Sequence, residues 1–148
     1  MGNIEGVIVT PLRTINGESG KVLHALKQQE VSFRGFGEAY FSTVNMNAMK
    51  GWKRHRRMIL NLIVPAGIIK FVLYDDRQDS TTFGTIQEIV ISPENYQRLT
   101  VPPGIWMAFQ GLGNAENILL NIASIEHDPL EAENLPIINE VIPYQGFN

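Results

Sequence analysis

The 148-residue sequence contains no cysteine. Disulfide bonds, thiolate zinc sites, iron–sulfur clusters and a cysteine nucleophile are therefore excluded. No apolar run approaches the ~20 residues that span a bilayer. The first ten residues lack the basic stretch and long apolar run of a secretory signal. We therefore expect a cytoplasmic protein without a membrane partner.

Positive charge is scarce and unevenly placed. The formal net charge is −3, and five of the 12 Lys and Arg residues lie between Lys50 and Arg57. From Glu116 to the end, the chain has acidic residues but no Lys or Arg. A nucleic-acid binder needs basic charge along many phosphates, so nucleic acid is not an expected partner. The local cluster suits one pyrophosphate or carboxylate, or it is a solvated strand without a ligand.

Short runs of β-branched and aromatic residues, separated by turn signals, predict an all-β protein. The length fits a single domain over residues 1–148, and the strand spacing is typical of a sandwich or barrel. The predicted strands are Ile4–Val9, Lys21–Lys27, Gly37–Val44, Met58–Val64, Ile68–Asp75, Thr85–Ile91, Arg98–Val101, Ile105–Gln110 and Asn117–Ser124. A short helix over Gly20–Gln29 is the alternative for the second of these.

Strand alternation matters most in the basic cluster. If Gly51–Arg57 is extended, Lys53, His55 and Arg57 share one face and Trp52 lies on the other. A buried row of Lys, His and Arg would need an anionic ligand or nearby carboxylates, because unpaired buried charge is costly.

Several polar or large residues interrupt apolar strands. Asn61, Tyr74 and Asn121 each need a hydrogen-bond partner if buried, and that partner is either structural or a ligand. Trp106 follows the rigid Pro102–Gly104 segment, so it either lines a barrel mouth or packs in the core. The sequence leaves these alternatives open.

Three segments resemble known enzymes. Gly67–Arg77 (GIIKFVLYDDR) and Val101–Phe109 (VPPGIWMAF) resemble the dTDP-4-dehydrorhamnose 3,5-epimerases. Lys50–His55 (KGWKRH) is similar to the related dTDP-sugar 3,4-ketoisomerases. The resemblance extends over roughly residues 20–131. It implies the cupin-type double-stranded β-helix, a jelly-roll barrel that is usually a homodimer.

The resemblance also implies a reaction in which a base removes a proton beside a sugar ketone. Lys53 stands at the base position of the epimerases, and His55 at a second histidine of the ketoisomerases. Asn121 falls where the family has a catalytic Tyr, and Met107 where it has a His. Lys50 stands where the family has an Arg that binds the nucleotide phosphates.

We therefore predict catalytic roles for His55, Lys53 and Asn121. His55 is a better candidate than Lys53 for the base, because an unperturbed imidazole titrates near pH ~6.5 and is available in its neutral form. Substrate-binding roles are predicted for Lys50, Arg57, Asn61, Lys70, Tyr74, Trp106 and Met107. No metal and no other cofactor is predicted, since the ammonium and thioether that replace two histidines are poor ligands for a hard divalent ion.

These residues favour a metal-free epimerase or isomerase of a dTDP-4-keto-6-deoxy sugar in surface-polysaccharide biosynthesis. Its expected partners are the nucleotide sugar and a second copy of the chain. The alternative is a non-catalytic cupin that binds a nucleotide sugar or carbohydrate in a degenerate epimerase site. A structural protein with a filled barrel is the third hypothesis. A wet cavity lined by the candidate residues would separate the first two from the third.

Overall fold

The structure, a computed structural model, describes residues Gly2–Phe147. That part of the chain forms twelve strands and no helix. The strands are β1 (Ile8–Pro11), β2 (Thr14–Gly17), β3 (Gly20–Leu23), β4 (Glu38–Val44), β5 (Met49–His55), β6 (Leu60–Ala66), β7 (Ile69–Asp75), β8 (Ile86–Ile91), β9 (Gln97–Val101), β10 (Ile105–Gly111), β11 (Asn117–Ala123) and β12 (Ala132–Asn134). Accordingly, no helix in this range is long and apolar enough to cross a membrane.

Ten of these strands form two antiparallel sheets of five. The first sheet has the order β1-β9-β6-β11-β4, and the second has the order β12-β5-β10-β7-β8. Strands β2 and β3 form a separate hairpin. Neighbours in each sheet are mostly distant in sequence, as in the jelly-roll arrangement that the resemblance implies.

The main core lies between the two sheets. Alternate residues of β7, namely Ile69, Phe71 and Leu73, face inward and are fully buried. Leu62 on β6 and Leu99 on β9 meet them from the first sheet. Fully burying such a side chain contributes roughly 1.5–3 kcal/mol. The period-two pattern therefore fixes which face of each strand points to the interior.

A second cluster lies on the outer face of the second sheet. Trp52, Trp106 and Ile142 are buried there. The C-terminal residues 135–147 cross this face and pack against the cluster through the partly buried Leu135, Ile137, Tyr144 and Phe147. The indole Nε1 of Trp52 donates a 3.1 Å hydrogen bond to the carbonyl of Ile137. The second sheet is therefore covered on both faces.

The outer face of the first sheet is covered by residues 24–34. Arg98 on β9 is fully buried and holds this segment against the sheet through hydrogen bonds. Its guanidinium donates 2.7 Å hydrogen bonds to the carbonyl of Ala25, the carboxylate of Glu30 and the hydroxyl of Ser32. The charge is thus paired, which removes most of the cost of burying it.

Seven predicted strands match observed ones to within two residues at each end. The first prediction, Ile4–Val9, is shifted: β1 starts at Ile8, because the Ile4 N–H bonds the side chain of Gln87 rather than a strand. The predicted strand Lys21–Lys27 shortens to β3, which pairs with the unpredicted β2. That pairing also rules out the helical alternative over Gly20–Gln29. Neither β5 nor the short β12 was among the predicted strands.

Candidate active site

A cavity of about 210 Å³ opens between the two sheets. Strands β4 and β11 of the first sheet form one wall, and β5 and β10 of the second sheet form the other. Its lining residues are Glu38, Tyr40, Ser42, Lys50, Gly51, Lys53, His55, Met58, Leu60, Met107, Phe109, Leu119, Asn121 and His127. Lysines and histidines are confined to the β5 wall and to a loop after β11, so the cavity has one cationic side.

A bulge in β5 sets the cationic wall. Lys53 pairs with Met107 and Lys50 pairs with Phe109, so β5 has two residues between the lysines where β10 has only Ala108. Both lysines therefore line the cavity although they are three residues apart. Gly51 makes this possible: its φ is +126°, and a Cβ there would lie 2.7 Å from the Cα of Ala108.

The two lysines differ in how they are held. The ammonium of Lys50 donates a 2.7 Å hydrogen bond to the carbonyl of Thr43 on β4, which links the two walls. Lys53 is exposed and, within residues 2–147, makes no hydrogen bond or salt bridge through its side chain. Its charge is therefore available to an anionic ligand.

His55, the last residue of β5, is partly buried. Its Nδ1 is inaccessible to solvent and has no hydrogen-bond partner among the described residues. Burial lowers the pKa of His55, and the charges of Lys53 and His127 lower it further, against the opposing effect of Glu131. The lowered pKa favours the neutral imidazole, the form that can accept a proton.

Asn121 and Tyr40 form a pair on the opposite wall. They lie directly across from one another on β11 and β4. The side-chain Nδ2 of Asn121 donates a 3.1 Å hydrogen bond to the Tyr40 hydroxyl. The Oδ1 of Asn121 is buried without a partner in the described chain. This wall thus presents the Tyr40 phenol to the cavity, beside a buried amide oxygen without a partner in the described chain.

The structure brings five of the ten predicted site residues to this cavity. These are Lys50, Lys53, His55, Met107 and Asn121. Sequence reasoning missed Tyr40. The signal was the alternation of polar residues Glu38, Tyr40 and Ser42 along one strand, which places all three on one face.

Asn61 lies elsewhere, and its predicted contact with substrate is corrected. Its neighbours on β6 face the core, so the Asn61 side chain points to the outer face of the first sheet. There its amide donates to the carbonyl of Ser32 and accepts from Thr100 at 2.6 Å. Asn61 is therefore a structural residue that holds the covering segment.

Lys70, Tyr74 and Trp106 are also corrected. Because alternate residues of β7 and β10 fill the core, these three point to the outer face of the second sheet, under the C-terminal residues. Lys70 donates a 2.9 Å hydrogen bond to the carbonyl of Gly146 and lies over the ring of Phe147. They anchor the C-terminal segment instead of lining the cavity.

Arg57 does not continue the row of Lys53 and His55. Strand β5 ends at His55, and the Arg57 side chain is 71% exposed. Its backbone N–H and guanidinium both contact the buried carboxylate of Glu131, which also accepts from the N–H of Met58. Burial would raise the pKa of Glu131, but these hydrogen bonds outweigh burial and lower it. Arg57 thus belongs to a structural ion pair.

Comparisons with known proteins identify the family of the chain. No protein-family model matches the chain. A solved structure of a dTDP sugar isomerase from Desulfovibrio desulfuricans G20 is 38% identical, with a TM-score of 0.93, covering 96% of this chain and 91% of that one. The chain belongs to the dTDP-sugar isomerase and epimerase family.

Two further proteins are similar to this chain, one in sequence and one in fold. The probable low-salt glycan biosynthesis epimerase Agl13 of Haloferax volcanii is 27% identical over 140 residues, or 92% of this chain and 90% of that protein. The dTDP-6-deoxy-D-glucose-3,5-epimerase RmlC from Legionella pneumophila, solved with dTDP-4-keto-L-rhamnose, is 17% identical. Its TM-score is 0.82, over 98% of this chain and 82% of that one, and it supports the jelly-roll fold.

Proposed function

We propose that this protein is an epimerase or isomerase of a dTDP-4-keto-6-deoxy sugar, working without a metal in surface-polysaccharide biosynthesis. The observation that carries the proposal is the convergence of Lys53, His55 and Asn121 on one open cavity between the sheets. The isomerase and glycan-biosynthesis epimerase among its relatives support the substrate class and the pathway.

The proposed mechanism starts from a neutral His55. Its imidazole takes the proton from a carbon beside the sugar ketone, and the electron pair moves onto the ketone oxygen as an enolate. The ammonium of Lys53, on the same strand, stabilises this developing negative charge. Lys50, which also lines the cavity, binds the diphosphate of the nucleotide.

The donor set supports a mechanism without a metal. Among residues 2–147, no three His, Cys, Asp or Glu side chains are grouped so that they could hold a metal ion. Next to His55 the cavity offers the ammonium of Lys53 and the thioether of Met107, which are poor ligands for hard divalent cations.

The same proposal includes a homodimer in the cytoplasm. Strand β4 is an edge of the first sheet and exposes Phe41 by 68%. Phe36, just before the strand, is 64% exposed. An exposed edge with large apolar side chains favours pairing with a second copy. The lack of cysteine suits a reducing compartment.

A second candidate is a nucleotide-sugar-binding protein without turnover. The observation that favours it is the chemistry at three cavity positions, where Lys53, Met107 and Asn121 stand in place of the residues that the resemblance implies. On this hypothesis the cavity and its lysines bind the ligand, but no proton leaves the sugar.

Solvent exchange separates the two candidates. The wild-type protein is incubated in D₂O with dTDP-4-keto-6-deoxyglucose, and deuterium in the sugar is followed by NMR. We expect exchange in the wild type and a loss of at least about 100-fold in His55→Gln, the scale of general acid–base catalysis. His24→Gln, outside the cavity, is the matched control and should exchange normally.

Thermal melting with dTDP-, UDP-, GDP- and CDP-sugars completes the test. A ligand at 100 times its Kd adds ~2.7 kcal/mol to stability. Stabilisation by a dTDP-sugar without any exchange supports the binding protein and contradicts the enzyme.

A further inference from the structure

A small recess of about 10 Å³ adjoins the main cavity where β5 and β9 end and β6 and β10 begin. It shares five lining residues with the cavity, among them Lys53 and His55. A space of this volume is close to that of one water-sized sphere, so it takes roughly one non-hydrogen atom. Six of its eight lining residues are apolar, namely Met58, Leu60, Val101, Pro102, Ile105 and Met107.

Both sheets hold the walls of this recess in place. Leu60 pairs with Val101 in the first sheet, and Met107 pairs with Lys53 in the second. The side chains of Val101 and Ile105 are 3% and 2% exposed and belong to the main core cluster. Packed aliphatic side chains neither offer a hydrogen bond nor move apart without cost. The recess therefore suits one small apolar group.

We infer that the recess binds the C6 methyl group of a 6-deoxy sugar and that Val101 is a specificity-determining residue. This inference rests on the proposed function and identifies the part of the site that selects the 6-deoxy sugar. In a 4-keto-6-deoxy sugar nucleotide, C2, C3 and C4 carry oxygens and C1 carries the nucleotide. The methyl group on C5 is the one apolar substituent of the ring.

The rest of the cavity lining suits the other substituents. Strand β4 contributes Glu38, Tyr40 and Ser42, and β11 contributes Asn121. The hydroxyls and the ketone of the sugar can form hydrogen bonds with such side chains, whereas the methyl group cannot. This division between polar and apolar lining favours one orientation of the sugar, with C6 toward the recess.

The same features disfavour a sugar that keeps its 6-hydroxyl. A hydroxymethyl group has one more non-hydrogen atom than a methyl group, which exceeds the volume of the recess. Its hydroxyl would also lose its hydrogen bonds with water among aliphatic side chains. Penalties of this kind weaken binding by about 10- to 100-fold.

The test compares three dTDP-sugars of the same ring configuration by isothermal titration calorimetry. On C5, dTDP-6-deoxyglucose carries a methyl group, dTDP-glucose a hydroxymethyl group and dTDP-xylose a hydrogen. For the wild type we expect dTDP-6-deoxyglucose to bind at least about tenfold more tightly than dTDP-glucose. It should bind about fourfold more tightly than dTDP-xylose, because one methyl group leaves water.

The variant Val101→Ile adds a methyl group to the wall of the recess. We expect it to bind dTDP-6-deoxyglucose no more tightly than dTDP-xylose, because the recess is then filled. Its Kd for dTDP-xylose should stay within about twofold of wild type, since that sugar leaves the recess unused. Val64→Ile is the matched control: Val64 is fully buried on β6 but lines neither the recess nor the cavity, so the wild-type order of affinities should persist.

Two outcomes overturn this inference alone. One is a wild type that binds dTDP-glucose as tightly as dTDP-6-deoxyglucose, a result that decides the question even where Val101→Ile lowers stability. The other is a Val101→Ile variant, folded by its melting temperature, that keeps the wild-type order of the three affinities. A wild type that binds none of the three dTDP-sugars contradicts the proposed function as well.

Discussion

At the scale of single residues, the charge state of His55 decides whether the cavity can act as a base. A protonated imidazole cannot take a proton from carbon, so the lowered pKa of His55 matters for function. Burial is the first cause of that lowering, and the neighbouring Lys53 adds to it. The same lysine would thus bind the anionic substrate and keep its neighbour neutral.

This coupling predicts a shift in the pH profile. The acid limb of kcat/KM for the wild type should inflect below the ordinary value of 6.5, because the base works only in its neutral form. Lys53→Met removes a cation that lowers the pKa of His55, so the inflection should move to higher pH. Initial rates of exchange between pH 5 and 8 measure it.

Lys21→Met is the matched control, since Lys21 lies on the separate β2–β3 hairpin. Its profile should overlay that of the wild type. An acid limb in Lys53→Met that stays in place or moves to lower pH would contradict the proposed coupling between the two side chains.

The part of the site that could be predicted from the sequence follows from the alternation of side chains along a strand. Lys53 and His55 are two apart on one strand, and alternation alone places them on one face. Alternation also places Lys70 and Tyr74 on the face opposite Phe71 and Leu73, which lie in the main core. What no local pattern could show was that the outer face of their sheet is covered by residues 135–147, which are distant in sequence.

At the scale of elements, the β5 bulge is the feature that shapes the cationic wall. Simple alternation would place Lys50 and Lys53 on opposite faces. Because of the extra residue at Gly51–Trp52, both lysines line the cavity. The Trp52 side chain lies on the other face of the strand, in the second core cluster. Sequence reasoning considered what an extended Gly51–Arg57 would do but predicted no strand there, and a bulge depends on the partner strand, so it could not be predicted from this strand alone.

The substitution Gly51→Ala tests how strictly the β5 bulge requires a glycine. The new Cβ would lie 2.7 Å from Ala108 on β10, and the φ of +126° is unfavourable for any residue with a side chain. We expect a loss of about 2–4 kcal/mol in the free energy of unfolding, from backbone strain and overpacking together. Urea denaturation followed by tryptophan fluorescence measures this change.

Gly20→Ala provides the control for strain without crowding. Gly20 has a φ of +145°, yet nothing lies within 4 Å of its added Cβ. Its loss should stay near ~1 kcal/mol. Equal losses in the two variants would show that crowding of the new Cβ against Ala108 adds nothing to the cost of the Gly51→Ala substitution.

At the scale of the whole molecule, the two sheets differ in how their edges end. The β12 edge of the second sheet is short, with three residues. The β4 edge of the first sheet is seven residues long and presents Phe41 to solvent. Because β4 also forms one wall of the cavity, association along this edge would leave the site beside the interface. The resemblance implied a dimer, and the fold supplies a surface suited to one.

Phe41→Glu should therefore convert a dimer into a monomer. In the proposed dimer the Phe41 side chain would be buried between copies, and a carboxylate there is unfavourable because a buried unpaired charge is costly. Light scattering coupled to size-exclusion chromatography should give twice the chain mass of 16.6 kDa for the wild type and one chain mass for the variant.

Phe83→Glu is the matched control and should stay dimeric, because Phe83 is also exposed, by 53%, but lies in the loop before β8. A wild type that elutes as a monomer, or dissociation in both variants alike, would rule out β4 as the contact between copies.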